Sequence, residues 1–214
     1  MKKRLIVCGM LPGLLVMMIS RAEAVQVTSR GFKGGLSLAN ITGGNKDRLG
    51  FVGGGYVNIN IRPGFSIQPE LLIVQKGSKY TEYIMATNID HKEVIRLTYL
   101  EIPILAKYSF VTGPKAKVSV FGGPAFAFDC LATRYEWWKN CNTGEEKAYT
   151  YDYNVRVLDI GLAFGGGVDL SLGKFVLTFD IRYTLGLSGL YLSSERYESP
   201  DRNSAIMLLV GLGN

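Results

Sequence analysis

The chain has 214 residues, 47% hydrophobic and 20% charged, with 26 glycines and a formal net charge of +6. That length suits a single all-β barrel domain. Part of the basic surplus sits in the first 24 residues. Without them twenty positive and seventeen negative side chains remain, and no clustered Lys/Arg face follows, which excludes a nucleic-acid binder.

Lys2-Lys3-Arg4, the apolar stretch 5–19 and Ala22-Glu23-Ala24 have the order of a secretory signal peptide. Residues 1–24 are therefore predicted to be a cleaved leader, and 25–214 the folded domain. No later apolar run reaches the roughly 18 residues of a transmembrane helix. Cys130 and Cys141 lie in a polar segment beyond it, and an even pair in an exported chain predicts one loop-closing disulfide.

Eight segments then alternate with a period of two. The first, 31–41, sets Phe32, Gly34, Leu36 and Leu38 against Lys33, Gly35, Ser37 and Ala39. Segment 50–61 sets Phe51, Val57 and Ile59 against Val52, Tyr56 and Asn58, and Arg62-Pro63-Gly64 is a tight turn. Segment 65–75 sets Phe65, Ile67, Leu71 and Ile73 against Ser66, Gln68 and Glu70. A long polar connection, 76–96, leads to 97–110. There Leu100, Ile102, Ile104, Ala106, Tyr108 and Phe110 oppose Tyr99, Glu101, Leu105 and Lys107.

Segment 117–129 has Val118, Val120, Phe126 and Phe128 on its apolar face, and a second long loop, 130–153, follows. Segment 157–171 sets Leu158, Ile160, Leu162 and Phe164 against Asp159, Gly165, Gly167 and Asp169. After a turn at Leu172-Gly173-Lys174, segment 175–187 sets Phe179, Ile181 and Tyr183 against Asp180, Arg182 and Thr184. A polar loop from 188 to about 203 precedes a last segment carrying Ile206, Leu208, Val210 and Leu212.

Each segment has the nine to eleven residues with which a tilted strand crosses a bilayer, and short connections alternate with long ones. Phe32, Phe65, Tyr108, Phe110 and Phe175 mark one end of the apolar face, and Phe51, Phe126, Phe128 and Tyr183 the other. Two aromatic rings around an aliphatic band are the interfacial belts of a membrane barrel. A soluble barrel around a ligand would carry Lys and Glu along its second face. Here that face is mostly Gly, Ala, Ser and Thr, which suits a cramped interior. The prediction is an eight-stranded antiparallel up-and-down transmembrane β-barrel, monomeric and integral to the outer membrane. Pro69, Pro103 and Pro124 fall inside its strands and predict bulges or broken ladder bonds.

The pieces Gly31-Phe32-Lys33-Gly34-Gly35-Leu36, Gln68-Pro69-Glu70-Leu71-Leu72, Tyr99-Leu100-Glu101-Ile102-Pro103 and Arg182-Tyr183-Thr184-Leu185-Gly186 occur in order along the chain. In them the sequence resembles the PorT-type outer-membrane β-barrel family, often labelled the porin family. The resemblance implies the barrel fold. It also implies, as an alternative role, a subunit of a protein-secretion and gliding apparatus.

Inward charges are the main chemical feature: Lys33, Lys107, Lys117 and Arg182 against Glu70, Glu101, Asp129, Asp159, Asp169 and Asp180. Lys33, Glu70, Glu101, Lys107, Asp180 and Arg182 are predicted to form an ion network that plugs the lumen. The only histidine, His91, lies beside Asp90 and near Glu93, the minimum for a rim-located lipid-modifying or proteolytic enzyme. No serine signature supports one, because Gly186-Leu187-Ser188-Gly189 misses G-x-S-x-G by one position. The sequence therefore predicts no enzyme, no cofactor and no metal. Tyr80, Tyr83, Trp137 and Trp138 in the long loops are the candidate surface for envelope proteins or glycans.

Overall fold

The computed structural model describes residues 27–42, 46–189 and 201–214, so the predicted leader lies outside the described residues. Among the described residues there are nine strands. They are β1 (Val27–Ile41), β2 (Lys46–Arg62), β3 (Phe65–Ile84), β4 (Ile89–Val111), β5 (Ala116–Asn140), β6 (Glu146–Asp152), β7 (Leu158–Leu172), β8 (Phe175–Gly186) and β9 (Asn203–Gly213). Eight close an antiparallel ring in the order β1-β2-β3-β4-β5-β7-β8-β9, and β9 returns to pair with β1 from Gly31↔Gly213 to Ile41↔Asn203. β6 stands outside the ring, on the far half of β5.

The alternation of side chains decides which face looks out. Phe32 is 78% exposed and Phe51 68%, and Ile73, Ile104, Val120, Ile160, Leu162, Ile181, Leu208 and Val210 are exposed with them. Lys33, Gln68, Glu70, Glu101, Lys107, Asp180 and Arg182 are buried. This is a soluble protein turned inside out, and only lipid makes such an apolar outer face stable. The interior is not wholly polar. Ile41, Ile95, Leu97, Tyr99, Ala127, Ala132 and Val155 form one apolar layer, and Leu105, Phe121, Ala125 and Ala163 another.

The two tight turns fall where the sequence puts them, with Gly64 at φ 77° and Gly173 at φ 69° supplying the left-handed conformation each reversal needs. Interior glycines make room for charge. A Cβ on Gly167 would lie 2.1 Å from Asp180 Oδ1, and one on Gly211 would lie 2.9 Å from Lys33 Cγ.

Two expectations are corrected. The long connections 76–96 and 130–153 are strand rather than loop. β3 runs on to Ile84 and β4 begins at Ile89, β5 reaches Asn140, and β6 pairs back along it. Together these extensions form a four-stranded ribbon projecting from one end of the ring. Beyond the bilayer an outward face need not be apolar. Cross-strand pairs among Tyr, Trp, Thr, Ile and opposite charges then sustain the strands without the lipid-facing pattern.

The same extension rules out the predicted Cys130–Cys141 disulfide. Cys130 lies within β5, whereas Cys141 follows the strand's far end as a free, exposed thiol. Eleven residues of extended chain span about 36 Å at 3.3 Å each, against the ~7 Å Cα separation that a disulfide tolerates.

The in-strand prolines break ladders without bulging them. Pairing lapses between Tyr56↔Glu70 and Ile59↔Ile67, which omits Pro69. It lapses between Pro69↔Ile104 and Leu72↔Glu101, which omits Pro103, and between Pro103↔Ala125 and Ala106↔Gly122, which omits Pro124. The register is the same on either side of each gap. A proline removes one donor but leaves the strand extended, so its neighbours keep their partners.

Candidate functional site: the charged lumen and the outer ribbon

Side-chain period places Glu70 on β3, Lys33 on β1, and Asp180 and Arg182 on β8 inside the ring, where they meet. Arg182 donates to both Glu70 oxygens, Nη1 at 2.7 Å and Nη2 at 3.0 Å. Lys33 Nζ sits 3.3 Å from Glu70 Oε1 and 2.5 Å from Asp180 Oδ2, and the Gln68 amide donates to Glu70 at 2.6 Å. These four charged side chains are at most 1% exposed. Because β3 and β8 are four steps apart either way round the eight-strand ring, the Arg182–Glu70 pair reaches across its diameter.

The other two predicted members pair elsewhere. Glu101 accepts from Lys76 at 2.6 Å, and Lys107 donates to Asp169 at 2.8 Å. Lys76 was missed because it opens the stretch read as loop. Nearer the ribbon, Lys76, Glu101, Asp159, Gly161 and Thr184 line a small cavity with Ala125, Ala127 and Gly186. The Ser188 hydroxyl donates to Asp159 at 2.6 Å, and Asn203 on β9 donates to the Tyr99 hydroxyl on β4 at 3.2 Å, a second contact across the ring.

In the ribbon the four aromatic candidates divide between two faces. On the face continuous with the lumen, His91 stacks on Trp138, with ring centroids 3.7 Å apart and planes at 17°, and Tyr80 meets His91 edge-on at 6.4 Å. On the other face Lys92 lies over Trp137 at 4.5 Å, and Tyr83 donates to Asn88. They are not one surface. The same alternation separates Asp90 from His91, since neighbours on a strand point to opposite faces.

Glu93 and Glu136 are direct cross-strand partners, held by Arg134 at 2.7 Å and 3.0 Å, while the Tyr151 hydroxyl donates to Glu136. Burial opposes the charge on Arg134, but Glu93, Tyr151 and Glu136 outweigh it and hold the guanidinium above its ordinary pKa. His91, Glu93 and Glu136 each offer a ligand atom within 4.8 Å of the others. No other such trio occurs among the described residues. Sequence reading noted His91 and Glu93 but had no means of finding Glu136, because that pairing depends on the β4–β5 register.

The closed ring, the lipid-facing belt and the charged interior define an integral outer-membrane β-barrel. The family model described as "Outer membrane protein beta-barrel domain" matches residues 26–191, and the chain belongs to that family. Among solved structures it is similar to Neisserial surface protein A at 13% identity, covering 86% of this chain and 94% of that one with a TM-score of 0.46. It is similar to Ail, the attachment invasion locus protein of Yersinia pestis, at 12% identity, 87% and 98% coverage and a TM-score of 0.36. The outer membrane protease OmpT of Escherichia coli stands at 10% identity, 91% and 99% coverage and a TM-score of 0.39. No curated protein sequence matches the chain.

Proposed function

We propose that the protein is a structural and interaction barrel of the outer membrane. Its lumen is plugged by side chains, its ribbon recognises envelope proteins or glycans outside the cell, and it has no enzymatic activity. The observation that carries this reading is the Arg182–Glu70 pair, bidentate and fully buried across the ring. An eight-stranded barrel leaves just enough room for side chains to fill, and here charged ones meet in the middle. Proteoliposomes loaded with the barrel are expected not to swell in isotonic arabinose; swelling above protein-free vesicles would overturn the plug.

The second reading is a subunit of a PorT-like secretion or gliding apparatus, exported with its leader removed. The family pieces in the sequence favour it. So does the ribbon, whose β6 strand is paired on one edge only among the described residues. Such an open edge accepts a further strand. Crosslinking of intact envelopes followed by pull-down distinguishes the two. A stoichiometric set of secretion components, lost when 146–152 is replaced by a Gly/Ser linker, supports the apparatus role, and recovery of the barrel alone argues against it.

A further inference from the structure

The geometry points to a divalent transition-metal site on the outer ribbon, made by His91, Glu93 and Glu136, with zinc the metal that the ligand set suits best. It is independent of whether the lumen is plugged and of any protein partner.

The sheet builds the trio. Glu93 on β4 and Glu136 on β5 face each other directly, and His91 lies two residues along β4 on the same face, opposite Trp138. Two carboxylates in direct register repel one another, and a cation already sits between them, the Arg134 guanidinium. His91 is the independent sign of a ligand. It is only 9% exposed, and its Nε2 is buried without a hydrogen-bond partner among the described residues. A buried ring nitrogen left unsatisfied costs free energy unless something binds it.

Its orientation is set by its neighbours. Trp138 stacks on one face of the ring and Tyr80 abuts it edge-on, while the Tyr151 hydroxyl fixes Glu136. Outer contacts of this kind hold metal ligands in place.

The distances are within reach. Metal bonds of 2.0–2.2 Å put tetrahedral ligand atoms about 3.4 Å apart, so atoms now within 4.8 Å must close by at most about 1.4 Å, within reach of side-chain rotation. One imidazole nitrogen and two carboxylate oxygens, with water completing the shell, suit zinc and its neighbours better than calcium or magnesium, which take oxygen alone.

Arg134 now occupies the space between the carboxylates. A divalent ion displaces its head from the carboxylates, and the guanidinium, which already lies 5.9 and 5.6 Å from the Tyr151 and Tyr153 ring centroids, keeps those aromatic contacts when it withdraws. Arg134 is thus a competitor for the site. That gives the proposal a signature that a mere acidic patch lacks.

The test uses tag-free mature barrel folded in detergent micelles, in a Cys141→Ser background so that the exposed thiol takes no zinc. Zn2+ is titrated by calorimetry and Co2+ by its visible absorption, with heat-modifiable gel migration verifying the fold of every variant. One ion per barrel is expected. His91→Ala and Glu93→Gln should each weaken binding at least tenfold, and Arg134→Met should strengthen it severalfold. No saturable binding, full affinity in His91→Ala, or an Arg134→Met barrel that binds no more tightly would each overturn the site.

Discussion

Arg182 and Glu70 join two strands that stand on opposite sides of the ring, through two hydrogen bonds of 2.7 and 3.0 Å between fully buried side chains. Neither charge has water to return to while the barrel is folded. Removing one partner leaves the other buried and unpaired, which costs about 3–5 kcal/mol. Arg182→Ala should lower the urea midpoint of the bilayer-inserted barrel accordingly, and Glu101→Ala, which strands Lys76, should do the same. An Arg182→Met/Glu70→Met double variant should recover part of the loss, because both charges go together. Unchanged midpoints in both single variants would remove the network from the account.

Gly167 gives way to Asp180. An added methyl would sit 2.1 Å from the Asp180 carboxylate and 2.8 Å from the Phe179 carbonyl. Gly167→Ala should therefore cost about 1–3 kcal/mol and loosen the Asp180 hold on Lys33. Gly113→Ala, with nothing within 4 Å of the new atom, should leave the same unfolding curve in place.

Cys141 is an exposed free thiol at the tip of the ribbon. Maleimide added to the folded barrel without reductant should label it, and peptide mapping should find the adduct on the 141–145 turn. A Cys141 peptide recovered only as a disulfide with Cys130 would contradict the extended β5.

Arg134 separates two glutamates that face each other across strands, from a position about three-tenths exposed. Part-exposed pairs contribute little, about 0.5–1 kcal/mol, so Arg134→Ala should act locally. Amide hydrogen exchange should quicken at 92–94 and 135–137 while the ring strands keep their protection. Uniform loss of protection throughout the barrel would mean that ribbon and ring unfold as one unit.

The ring was legible in the sequence because a lipid-facing strand obeys a strict period. Phe32, Leu36 and Leu38 repeat every second residue, and a slip of one would put Lys33 into the bilayer. Beyond the membrane that constraint ends, so the strand continuation from Lys76 to Ile84 and from Cys130 to Asn140 reads as polar loop. Partners were less legible than positions. Glu101 and Lys107 face inward as their parity requires. That they meet Lys76 and Asp169, rather than the Arg182 cluster, depends on the stagger between strands, which no single strand records. Glu136 was hidden for the same reason, since it faces Glu93 only through the β4–β5 register.

The proposed function rests on a lumen closed by its own side chains. Single-channel recording of the wild-type barrel in planar bilayers reads that closure without any mutation. A plugged barrel should give a flat baseline with no steady conductance under applied voltage. Reproducible unitary openings from the purified wild-type barrel, absent from protein-free membranes, would contradict it.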